Sequence, residues 1–120
     1  MEEFHAILVD KSLISPEVLG ALKILSENAD GDWTLYKIAV IENDLIRTIK
    51  LIQLGMLEGG WYFHLYNSDG SRLIVVFKDK FFDISNNPLT WTEAVQYGLS
   101  LGTPLAQLDF NPNRFEDETL

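Results

Sequence analysis

The sequence predicts a single α+β domain with a three-helix core, a β-hairpin over residues 61–77 and a further helix near 91–101. Three observations predict it. Leu45, Ile46, Ile49, Ile52 and Met56 recur at spacings of three and four, which gathers them on one side of a helix. At Gly59-Gly60 the pattern changes to alternation, the period of a strand. Asn67-Ser68-Asp69-Gly70 then lies between two alternating runs, and Asp-Gly supplies the positive φ that a twisted hairpin needs.

Taken in order, Glu3 to Val9 reads as a strand, with Phe4, Ala6 and Leu8 on one face and His5, Ile7 and Val9 on the other. Ser15-Pro16-Glu17 reads as a helix start: serine caps, proline needs no amide at the first helical position, and glutamate suits the positive end of the dipole. Val18, Leu19, Leu22, Ile24 and Leu25 give that first helix its apolar face, and Gly20 marks a close helix contact. Asn28 to Asp32 is read as its terminating loop. After a short extended stretch at Trp33-Thr34, Leu35, Ile38 and Ala39 suit a two-turn second helix. Asn43 or Asp44 caps the third helix, over 44–55, and Gly55 lies near its end.

Trp61, Phe63 and Leu65 alternate with Tyr62, His64 and Tyr66, and Arg72 to Phe77 forms the return strand. Phe81 to Ile84 continues that strand or pairs separately. Thr90 or Thr92 caps the last helix, with Trp91 as the expected cover of the outer face of the hairpin and Leu105, Leu108 and Phe110 packing back on the core. One domain is expected over residues 1–110. Residues 111–120 are expected to be an acidic, disordered tail.

Composition bounds the function. Apolar residues make up 47% of 120, enough for a core. No cysteine is present, so disulfides and thiolate zinc sites are excluded. No apolar run approaches the ~20 residues that span a bilayer. The opening residues carry two acids and no early base, unlike a leader. A cytoplasmic protein without membrane association is expected. The net charge is −9, with residues 1–31 at −4, 32–84 at −1 and 85–120 at −4. Such a chain repels a phosphate backbone unless its central bases cluster.

The order from Ser15 to Ile84 resembles a winged helix-turn-helix domain, over residues 15–84. Val18-Leu19-Gly20-Ala21-Leu22 match its first helix and Leu35-Tyr36-Lys37-Ile38-Ala39 its second. Asp44 to Ile52 match the recognition helix, and Leu54-Gly55-Met56-Leu57-Glu58 resembles the exit into the wing. The resemblance implies a DNA-binding transcriptional regulator using helix 44–55 and the 61–77 hairpin. Its usual bases are sparse here: Arg47 and Lys50 on the helix and Arg72 beside Asp69 at the hairpin tip. A winged helix without a basic surface is more often an interaction module.

The preferred reading is therefore a non-catalytic protein-interaction or adaptor domain, with DNA binding as the alternative. The candidate partner- or DNA-binding residues are Arg47, Lys50, Gln53, Arg72, Trp61, Tyr62 and Tyr66. No catalytic residue, metal ligand or cofactor is assigned. His5 and His64 lack a metal-binding spacing and read as partly buried strand residues. The serines form no nucleophile elbow, and the glycines form no phosphate loop. Glu116-Asp117-Glu118 reads as solvated tail rather than a cation site. A two-fold homodimer is expected, because both hairpin faces are aromatic and the strand at Phe4–Val9 has no adjacent partner. Its competitor is a monomer in which that strand joins the hairpin and the Trp91 helix caps the outer face.

Overall fold

The computed structural model describes residues 2–110 and 114–118. Its frame is a six-stranded antiparallel sheet built from β1 (Glu3–Val9), β2 (Lys23–Asp30), β3 (Trp33–Ile41), β4 (Tyr62–Asn67), β5 (Arg72–Phe77) and β6 (Phe81–Ser85). The spatial order is β2-β3-β1-β4-β5-β6, so the first strand sits inside the sheet. Helix α1 (Leu45–Gly55) covers one face and the shorter α2 (Thr92–Ser100) packs on the other.

This corrects the winged-helix expectation. There is no three-helix core, because the first two expected helices are not helices. Residues Pro16–Ala21 form a 3-10 segment, and Lys23–Asp30 is an edge strand. Ser15 does cap, its Oγ accepting from Glu17 N at 3.2 Å, but the turn it starts stops after six residues. Nothing approaches a Cβ built on Gly20, so it marks no helix contact. Asp30-Gly31-Asp32 is a hairpin turn, with Gly31 at φ +62°, rather than a helix exit. The expected second helix is the strand β3. Its content of Trp, Tyr, Ile and Val suits a pleated, half-buried ladder better than a helix.

Other expectations stand. The strand at Glu3–Val9, the helix near 44–55, the hairpin and the last helix are all present. The hairpin is not a free wing, however. Its strands β4 and β5 are flanked by β1 and β6. The N-terminal strand finds both partners within the chain, pairing with β3 over Glu3 to Val9 and with β4 over Phe4 to Ala6. Of the tail, residues 111–113 and 119–120 lie outside the described residues, while Phe115–Asp117 forms a 3-10 turn. No helix among the described residues is long and apolar enough to cross a membrane.

The alternation of strands sorts the core into two layers. Phe4, Ala6, Leu8, Ile38, Val40, Phe63, Leu65, Ile74 and Val76 meet Leu45, Ile49 and Ile52 of α1 on one face. Leu73, Val75, Phe77 and Phe82 meet Ala94, Leu108 and Phe110 on the other. Trp91 joins this second layer as expected, its Nε1 donating to Ser85 O at 2.7 Å. Gly98 lets α2 sit close: a Cβ there would lie 2.6 Å from Leu108.

Phe4 lies fully buried on β1 at the centre of the first layer. Phe4→Ala is expected to cost about 3–5 kcal/mol of unfolding free energy. Ile24→Ala on the edge strand β2, where the side chain is exposed, is expected to cost less than about 1 kcal/mol. Urea denaturation of both variants measures the contrast.

Candidate functional site

Two surfaces stand out, one on each side of the sheet. The first is an apolar groove beside α1. Residues 12–14 are pinned to the end of α1, with Ile14 N donating to Gly55 O at 2.7 Å and Leu57 N to Ser12 O at 2.8 Å. That link fixes the segment Pro16–Ala21 alongside the helix. Leu51, Leu54 and Gly55 fall at i, i+3 and i+4 on α1 and face Ile14, Val18 and Ala21 across a groove of about 410 Å³. Leu54 is 79% exposed and Ile14 63% exposed. Beyond Leu54 lies a more polar hollow bounded by Lys50, Gln53, Lys78 and Asp79. α1 is thus apolar both inward, through Leu45, Ile49 and Ile52, and outward.

The second surface is a clamp on the opposite face, over β3, β1 and β4. His5 pairs directly with Tyr66, and Lys37 pairs with Ile7, two residues along β1 from His5. Directly opposed residues share a face, so the three side chains converge. They meet on one carboxylate, that of Glu118. His5 Nδ1 lies 2.6 Å from it, Tyr66 Oη donates at 2.5 Å, and Lys37 Nζ donates at 3.2 Å. Phe115 stacks on the His5 ring, with centroids 3.6 Å apart and planes 4° from parallel. The other nitrogen of His5 faces Glu3 at 3.0 Å. Each ring nitrogen therefore meets a carboxylate oxygen, and the imidazolium form donates to both.

Electrostatics at the clamp follow from these contacts. Burial opposes the charge on Glu118, but hydrogen bonds from Tyr66, His5 and Lys37 outweigh it and hold the carboxyl below its ordinary range. His64, two residues before Tyr66 on the same face, is different. Enclosure lowers its pKa from 6.5 to about 4, so its imidazole stays neutral. Among the described residues no group of His, Asp and Glu is placed to hold a metal ion.

Of the residues singled out from the sequence, Arg47, Lys50 and Gln53 share α1, while Trp61, Tyr62, Tyr66 and Arg72 belong to the hairpin and its approach. Arg47 is 79% exposed at its side chain and pairs with Asp44 at 2.8 Å. Lys50 borders the polar hollow, and Gln53 Nε2 donates to Phe77 O at 2.8 Å, tying α1 to β5. Arg72 lies over the Phe4 ring and within 3.5 Å of Glu2, Glu42 and Asp83. Trp61 packs edge-on to Trp33, and Tyr62 packs against Phe77 and Phe110 while donating to Gln107 O. Tyr66 is buried in the clamp. Arg47 and Arg72 are thus each paired with carboxylates, and the hairpin that carries Arg72 is flanked by β1 and β6 rather than standing as a free wing. Sequence reasoning missed Lys37, Glu118 and Phe115 and gave His5 no role beyond the strand. Lys37 did leave a signal: a lysine inside the apolar run Tyr36 to Ile41 needs a partner if that run is buried.

No protein-family model matches the chain, and no curated protein or solved structure matches it either.

The shift at His64 fixes a pH dependence. Between pH 6.5 and 4 the unfolded chain binds a proton at this site that the folded chain refuses, so acid favours unfolding. Lowering the pH from 7 to 5 is expected to remove about 2 kcal/mol through this group. His64→Gln should abolish that share, measured as the difference between variant and parent in urea titrations at the two pH values. Equal pH dependence in both chains would contradict it.

Proposed function

We propose that this chain is a non-catalytic protein-interaction domain that docks through the groove beside α1, with a second copy of itself as the occupant. The observation that carries the reading is the pairing of a hole with a knob. The groove between Pro16–Ala21 and α1 is apolar, and the largely exposed Leu54 stands on its border. A surface with knob and hole side by side is self-complementary under a two-fold axis: each Leu54 enters the groove of the other copy. Charge agrees, because Glu17 lines the groove and Lys50 borders the hollow beyond Leu54, so the two can face each other across such an axis. Burying Leu54, Leu51 and Ile14 removes apolar area that a lone chain leaves in water.

The non-catalytic part follows from the sequence, in which no nucleophile, base and metal ligand form a recognisable set. The alternative of duplex DNA binding draws no support from Arg72, which is surrounded by three carboxylates.

Sedimentation velocity tests the reading. At micromolar concentration the chain is expected to sediment as two copies, and Leu54→Glu as one, with unchanged circular dichroism. A mass of one chain for the parent at every concentration rejects the reading.

A further inference from the structure

We infer that the clamp on the second face is a binding site for an acidic peptide of a partner protein, one carrying an aromatic residue three positions before a carboxylate. The chain's own segment 114–118 is its resident, displaceable occupant. This site lies on the sheet face opposite α1 and does not depend on the groove, so either can fail alone.

Lys37, His5 and Tyr66 come from three adjacent strands and point donors at one spot. The Lys37 side chain is 13% exposed and that of His5 8%. A lysine so enclosed needs a carboxylate opposite, since an uncompensated buried charge is costly. That carboxylate, Glu118, arrives on a peptide segment from outside the sheet. The second feature is the flat seat made by the His5 ring, taken by Phe115. Charge-assisted hydrogen bonds with an adjacent aromatic stack specify a motif: an aromatic residue, two of any kind, then an acid.

Among the described residues, Phe115 and Glu118 are the members of the segment that reach the sheet. Phe115 and Glu118 make the side-chain contacts just described, and Phe115 N donates to Ser68 O at 3.0 Å. Arg114 turns away, pairing with Glu116 at 2.7 Å and Asp117 at 2.8 Å within the segment itself. These three side chains are exposed pairs that add little to docking. When such a segment opens locally, its tether gives it a high effective concentration against a free peptide. The site is therefore selective and self-occluded.

The test uses the full chain carrying Phe115→Ala and Glu118→Gln, which releases the segment. The probe is a fluorescent synthetic peptide with the sequence of residues 111–120. Anisotropy is expected to show saturable binding to the released variant and at least about tenfold weaker binding to the parent, whose own segment competes. Adding Lys37→Met, or replacing the peptide's glutamate at position 118 by glutamine, should weaken binding at least about tenfold. A folded released variant that binds no peptide overturns the proposal, as does binding that survives Lys37→Met. If the double variant unfolds, Glu118→Gln alone is tested the same way. Unfolding of both overturns the proposal, because the segment would then be part of the core.

Discussion

Strand β1 is hydrogen-bonded on both of its edges, and the rest of the structure depends on that double pairing. Without it the sheet divides into the β2-β3 hairpin and the β4-β5-β6 meander. The β2-β3 hairpin is then too small to be stable alone, and the meander loses the strands that complete the floor under α1. With β1 inserted, Phe4, Ala6 and Leu8 complete the floor on which α1 sits. The same insertion puts His5 between Lys37 and Tyr66 on the reverse side. One strand thus closes a core and assembles a polar clamp, because its alternate residues point opposite ways.

The two faces are finished differently, which sets what each can do. α1 covers its face with Leu45, Ile49 and Ile52 and leaves apolar side chains outward, creating the groove shared with Ile14 and Val18. The second face is covered by α2 over β5 and β6, with Ala94, Leu108 and Phe110 against Phe77 and Phe82. Over β3, β1 and β4 the cover is the short segment holding Phe115 and Glu118. Acid bears on that region from two sides: protonation takes the charge from Glu118, and the enclosed His64 is forced to accept one.

The sequence makes local features legible and hides the rest for a physical reason. Helix α1, the turn at Asp69-Gly70, the last helix and the two faces of β1 are set by short-range periodicity and turn chemistry. The stretch from Pro16 to Ile41 misleads because Val18, Leu19, Leu22 and Leu25 also fit helical spacing. What decides it is pairing of β3 with a strand some thirty residues earlier, and tertiary pairing overrides local propensity. β3 is partly covered on both faces and so shows no clean alternation. The winged-helix resemblance followed from that one misread stretch. The clamp is harder still, since His5, Lys37, Tyr66 and Glu118 share no local motif and meet only through strand register. Arg72 illustrates the converse: a base exposed in the sequence pattern is spent on Glu2, Glu42 and Asp83 in the fold.

The fold and both of its surfaces depend on β1 being an interior strand. Native-state amide hydrogen exchange followed by NMR reads this most directly. An N-terminal strand paired on both sides opens only when the whole sheet does. The amides of Phe4 to Ala6, the stretch paired on both sides, should therefore exchange as slowly as those of Leu73 to Val76 in β5, with free energies equal to that of global unfolding. Exchange of Phe4 to Ala6 at the rate of a frayed terminus, while β5 stays protected, would contradict it.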